Sequence, residues 1–345
     1  MKRMLAIVTV CTALCVALAG CGVAATSSSS SPSSSSTAQA QGIDYLALVN
    51  KLNPLPQGWE EALQITEVKN SLGSDVKVEK KAYEAYQKLK EDLEKEGVKV
   101  DLDSAYRSVA EQQKIMDDFT KEKGADYAKK TVATPGYSEH HMGLALDLYL
   151  NIDGKDVYEN DEMIKHPEVW EKIHAKLADY GFILRYLEGA EHITGYGYEP
   201  WHIRYLDDPT IAKEIKDKGI TFEEYKAGKT YPTVTYDYGQ SNLYTTEELE
   251  QAAIQVKCEF ATFAGCELHN LRYAGDEYNT KENLDWLKGL DNNANYVQVA
   301  KILTDFHSPV EGGGAWEADK EMKDYEWWLA REEGKGWQLV SFGYN

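Results

Sequence analysis

The chain has 345 residues, 43% of them hydrophobic, and a formal net charge of −20 at pH 7. That length is enough for two packed domains, and that charge excludes nucleic acid and anionic lipid surfaces as partners, since both are bound through Lys and Arg. Only five cysteines are present, and Cys11, Cys15 and Cys21 crowd the N-terminus, so no disulfide scaffold organises the fold.

Lys2 and Arg3 precede an apolar run from Met4 to Ala19, too short to span a bilayer and patterned as a secretory signal. Leu18-Ala19-Gly20-Cys21 fits a lipobox, in which small residues before a cysteine admit cleavage and the cysteine then carries lipid. Residues 1–21 are therefore expected to be a lipoprotein signal and Cys21 the lipid anchor, with the mature chain extracytoplasmic and tied to the cell membrane. Residues 22–42 hold an almost pure serine run from Thr26 to Thr37, without apolar groups to bury, and are expected to be a disordered linker.

Glu79 to Glu96 carries Ala82, Tyr86, Leu89 and Leu93 at helical spacing and stops at Gly97. Val98, Val100 and Leu102 then alternate as a strand. Ser108-Val109-Ala110-Glu111 is a capping box that opens a helix toward Phe119, with Arg107 at the junction. Pro167 opens a further helix that buries Val169, Ile173, Leu177 and Tyr180 and ends at Gly181, before the strand-like Phe182-Ile183-Leu184-Arg185-Tyr186. This mixture predicts an α+β domain over residues 43–230. A second small α+β domain is expected over 231–345: Thr245-Thr246-Glu247-Glu248 caps a helix with Leu249, Ala253, Val256, Phe260 and Phe263 on one face, and Glu333-Gly334-Lys335-Gly336 turns a hairpin. Cys258 and Cys266 can pair or stay as buried thiols.

Chemistry concentrates in Ser138-Glu139-His140-His141-Met142-Gly143-Leu144-Ala145-Leu146-Asp147 and in Glu199-Pro200-Trp201-His202. A catalytic zinc takes three N and O ligands and keeps a fourth position open, and His140, Asp147 and His202 meet that count. Seven residues span over about 20 Å as a strand and about 10 Å as a helix, so His140 and Asp147 meet only if the chain turns between them. Gly143 is placed to permit the turn. Beyond it the leucines alternate with Asp147, and a carboxylate in so apolar a run needs a partner or a metal. Glu199 is the candidate general base and Arg107 the candidate donor to an oxyanion. Trp201 is expected to be a wall of the site, and the tryptophans of the last hundred residues are expected to be core.

These motifs resemble the VanY-type D-alanyl-D-alanine carboxypeptidases and their relatives, the VanX dipeptidases and L,D-carboxypeptidases, over residues 43–206. The combination of Ser-x-His-x6-Asp with Glu-x-x-His, preceded by Tyr106-Arg107-Ser108, carries the resemblance. It implies a zinc D,D-peptidase-like domain with a small antiparallel sheet and flanking helices. It further implies that His140, Asp147 and His202 bind one zinc ion, with His140 favoured over the adjacent His141. By the same resemblance Glu199 is the base, Arg107 stabilises the transition state, and Ser138 and Gln112 occupy substrate-binding positions. The expected activity is removal of the terminal D-amino acid from peptidoglycan stem peptides by a monomer. An L,D-carboxypeptidase or endopeptidase would use the same residues, whereas a wall-binding lipoprotein with a relic site is disfavoured by intact Glu199 and Arg107.

Overall fold

Among the described residues the two largest hydrophobic clusters are each built on a sheet. This computed structural model describes residues 42–123, 128, 132–291, 294–313 and 316–344. The expected signal, Cys21 and the serine run lie outside them. The N-terminal half carries an antiparallel sheet in the order β3-β4-β7-β6, from Val100–Ser104, Ala145–Ile152, His202–Tyr205 and Phe182–Leu184, with β5 (Lys155–Val157) beside β4. A separate hairpin joins β1 (Ile65–Lys69) to β2 (Asp75–Glu79).

The Lys80–Lys95 helix starts where Glu79 accepts the Ala82 N–H at 2.8 Å. It buries the expected Ala82, Tyr86, Leu89 and Leu93. Leu146, Leu148 and Leu150 of β4 meet this face together with Trp170 and Ile173 of the Pro167–Leu177 helix. A fully buried leucine is worth roughly 1.5–3 kcal/mol, so this layer is what fixes the sheet behind the site. The Ser108 capping box is present, with its hydroxyl accepting the Glu111 N–H at 3.1 Å and Glu111 accepting the Ser108 N–H at 2.7 Å. It opens the Val109–Lys123 helix.

The C-terminal half is a five-stranded sheet ordered β12-β11-β10-β9-β8. Its strands are Gln338–Gly343, Glu321–Glu332, Tyr296–His307, Glu267–Tyr273 and Thr235–Asp237. All pairings are antiparallel except β8 with β9. The Thr246–Phe260 helix packs Leu249, Val256 and Phe260 against Leu268, Leu271 and Trp327, while Leu287 of the Lys281–Leu290 helix meets Val299 and Trp328 in a second cluster. Cys258 and Cys266 are buried thiols and form no disulfide. Residues from 40 onward belong to one compact unit, both sheets included. No helix among the described residues is long and apolar enough to cross a membrane.

Candidate metal centre

Strand register brings the first two expected ligands together. In the β4–β7 ladder Asp147 lies directly opposite His202, and in the β3–β4 ladder it lies opposite Ser104. His140 arrives from a 3₁₀ turn, Glu139–Met142, whose first N–H groups are met by Ser138: its side chain accepts the His140 N–H at 3.3 Å. Gly143 then reverses the chain in the left-handed region at φ 66°, and a Cβ there would stand 2.8 Å from the Glu79 nitrogen and 2.9 Å from Ile65 Cδ1. Only glycine fits both the backbone and the space. The turn demanded by the His140–Asp147 spacing is thus the one that forms.

His140, Asp147 and His202 each offer one ligand atom, all within 4.8 Å of one another. His140 Nε2 stands 3.3 Å from Asp147 Oδ2, and His202 Nδ1 stands 3.2 Å from Asp147 Oδ1. The His140 Nδ1 is occupied by the Ala105 carbonyl at 2.6 Å, which turns Nε2 toward the centre. Asp147 Oδ1 is buried and receives no hydrogen bond. An unsatisfied oxygen on a carboxylate flanked by two imidazoles is what a bound cation would relieve, and two nitrogens with one oxygen suit zinc. The residues present therefore fit the ion.

The electrostatics favour the ligand forms of two of the three. Burial, reinforced by the Arg107 charge, pushes His140 down to about 3, so its imidazole is neutral. Burial opposes ionisation of Asp147, yet His140, His202 and Arg107 outweigh it and hold the carboxyl well below the usual range. His202 is likewise opposed by burial, but Asp147, Glu139 and Glu199 around it raise its pKa.

The other expected residues converge on the same cavity of about 400 Å³, which Arg107, Gln112, Ser138, Glu199 and Trp201 line together with the three ligands. Glu199 Oε2 lies 3.4 Å from His202 Nδ1, and the Glu199 side chain remains 25% exposed toward the cavity. Arg107 donates from Nε and Nη2 to Ser104 Oγ at 3.2 and 2.7 Å, and from Nη2 to Asp147 Oδ2 at 2.5 Å. Gln112 donates to the Ala133 carbonyl at 2.9 Å while its Oε1 is buried without a donor. His141 is turned away: its Nδ1 meets the Arg107 carbonyl at 2.8 Å and its Nε2 accepts the Gly136 N–H at 3.1 Å.

Behind the ligands lies a charged layer that reading the sequence missed. Arg185 and Arg204 are both fully buried, as is Glu139 at 2% exposure. Arg185 donates to Glu139 at 2.8 Å and to both oxygens of Glu223 at 2.9 and 2.7 Å, and Arg204 Nη1 reaches Glu139 at 3.0 Å. The second Glu139 oxygen faces His202 Nε2 at 3.9 Å. The signal was available: an arginine in each of the apolar strands β6–Tyr186 and β7 invites the same question that Asp147 raised. Tyr186 and Tyr196, which also line the cavity, offered no comparable sign.

The chain is similar to known proteins over this part of its length. The family model of VanY, D-alanyl-D-alanine carboxypeptidase, matches residues 75–208. YodJ of Bacillus subtilis (strain 168) is 38% identical over 184 residues, covering 52% of this chain and 66% of YodJ. The bifunctional D-Ala-D-Ala dipeptidase and D-Ala-D-Ala carboxypeptidase VanXYC of Enterococcus gallinarum is 33% identical over 186 residues, covering 52% of this chain and 92% of that protein. Among solved structures, a mutant of the vancomycin-resistance D,D-pentapeptidase VanY in complex with Zn(II) aligns with a TM-score of 0.45 and 31% identity, over 53% of this chain and 98% of that one.

Proposed function

The chain belongs to the VanY family of D-alanyl-D-alanine carboxypeptidases, and from that premise we propose that it is a zinc carboxypeptidase that hydrolyses the terminal D-amino acid from peptidoglycan stem peptides. The observation that carries the reading is the convergence of His140, Asp147 and His202 with Glu199 and Arg107 on one cavity. We assign the chemistry to residues 43–230 and treat 231–345 as a second domain.

His140, Asp147 and His202 would hold the ion. When bound, zinc polarises the scissile carbonyl and acidifies the attacking water. Glu199, beside His202 and open to the cavity, accepts the proton that this water sheds and passes it to the departing amine. Arg107 is locked in place by Ser104, and its guanidinium supplies a hydrogen bond to the carbonyl oxygen as negative charge develops there. Gln112 Oε1, buried and lacking a donor, can accept an N–H of the peptide, and Ser138 both caps the His140 turn and faces the cavity.

The reading is tested by D-alanine release from a soluble pentapeptide stem. Chelation should abolish release and added zinc should restore it; release that is indifferent to chelator would overturn the reading. Arg107→Ala should keep zinc and lose about 10²- to 10³-fold in kcat. A rise in KM at constant kcat would instead assign Arg107 to a substrate carboxylate.

The substrate lies outside the cytoplasm, where the lipobox would deliver the enzyme. Cys21→Ser should shift the protein out of the membrane fraction, because stable anchoring of this kind depends on the acyl chains. Equal membrane retention of mutant and wild type, with the signal removed from both, refutes the anchor.

A further inference from the structure

The Thr246–Phe260 helix lies beyond residues 75–208, the stretch the family model matches, yet it is built into the wall of the catalytic half. Lys257 Nζ meets Glu191 Oε2 at 2.7 Å, with side chains 9% and 4% exposed. The contact is off the hydrogen-bond angle, so Oε2 has no donor and the attraction is charge on charge in a nearly dry place. Glu191 opens the short helix Glu191–Thr194, which ends at Gly195 with φ 79°. A Cβ on Gly195 would stand 3.0 Å from Lys51 Cδ and 3.5 Å from Ala261 Cβ, so the end of the C-terminal helix and the N-terminal entry segment press on the chain at this point.

The next residue continues the line toward the metal. Lys51 Nζ lies 4.8 Å over the Tyr196 ring. Tyr196 packs on Tyr186 with ring centroids 4.8 Å apart, and Tyr186 packs on His202 at 4.7 Å. Glu199 is held from the same side, its N–H donating to the Tyr186 carbonyl at 3.4 Å. From Glu191 to His202 the chain is thus one short strip, braced at its start by the second domain and bearing the base and a ligand at its end.

We propose that Lys257 is a positioning residue for the catalytic strip. By neutralising Glu191 it holds the 191–194 helix against the second domain, and through Gly195 and Tyr196 it sets where Glu199 stands relative to His202. The domain that lies outside the family's matched stretch then braces the strip that forms the active-site wall, and a chain ending near Lys229 lacks that brace. The effect on turnover rests on the role given above to Glu199.

The test compares full-length wild type with Lys257→Met, Lys257→Arg and the double variant Lys257→Met/Glu191→Gln. Each is assayed for zinc content, kcat on soluble peptide well below its melting temperature, and amide hydrogen exchange over residues 191–199 of the metal-free protein. Lys257→Met should retain zinc, exchange faster across this strip and lose about 10- to 100-fold in kcat, the scale of loss from slight misplacement of a reacting group. Lys257→Arg keeps the charge and should restore both readouts. Should Lys257→Met fail to fold, the double variant leaves no lone buried charge and should fold, still with faster exchange and lowered kcat. A folded variant lacking the pair but with wild-type exchange and kcat overturns the proposal. A melting temperature that falls while exchange and kcat stay at wild-type values also overturns it, since that is mere structural support. If wild type releases no D-amino acid, the functional reading has failed, and exchange, which needs no substrate, still decides this inference.

Discussion

Glu199→Gln is expected to leave zinc bound and to lower kcat by about 10²- to 10⁴-fold, the usual loss when a general base is removed. The substitution keeps the shape of the side chain and takes away only its capacity to accept a proton. Metal retention follows from the ligand set, since the three groups within 4.8 Å of one another do not include Glu199. The size of the kinetic loss follows from position. Glu199 Oε2 stands 3.4 Å from His202 Nδ1 with a quarter of its side chain open to the cavity. Glu139 is spent on two arginines, and Asp147 is one of the three groups placed to hold the ion. Metal analysis and steady-state kinetics on one preparation check the prediction: a zinc-free variant, or a fully active one, refutes the role of Glu199.

Arg185→Met should destabilise the protein by about 3–5 kcal/mol, because it leaves buried carboxylates without their partner. Arg185 is fully buried, donates to Glu139 and grips Glu223 with both terminal nitrogens. Burial alone would push the Glu139 proton on, but Arg185 and Arg204 overcome it and keep the group ionised. Methionine fills much of the volume while removing the charge, so Glu223 keeps only the Asn50 amide at 3.0 Å. Glu139, still paired with Arg204, also backs His202 at 3.9 Å. Zinc affinity should therefore fall as well, by the roughly 10- to 100-fold typical of losing support behind a ligand. Urea unfolding and zinc titration read the two effects separately. A change under about 1 kcal/mol, within the range of ordinary surface substitutions or slightly beyond, would show that the layer is dispensable.

Much of the site was legible because its residues break local rules. Asp147 stands out in a run of leucines, Gly143 sits where a reversal is needed, and Glu199 lies three residues before His202. The helices at Lys80–Lys95 and Pro167–Leu177 were legible for the opposite reason, since spacing and terminal glycines, with an opening proline in the second, agreed with one another. What escaped notice depends on distance along the chain. Glu139, Arg185, Arg204 and Glu223 pair with one another across four separate stretches of the chain, and no window of sequence shows the pairing. The parallel pairing of β8 with β9 was hidden for the same reason. The Lys257–Glu191 contact was hidden more deeply, because a division at residue 230 puts its two halves in different domains.

The most direct measurement is mass spectrometry of matched pentapeptide and tetrapeptide stems incubated with the full-length enzyme, with and without chelator. Loss of one D-alanine from the pentapeptide, blocked by chelator, with the tetrapeptide left intact, is the result a zinc D,D-carboxypeptidase gives. Cleavage of the tetrapeptide alone would assign the same site to an L,D bond. An intact pentapeptide and tetrapeptide in the presence of zinc would contradict the carboxypeptidase reading altogether.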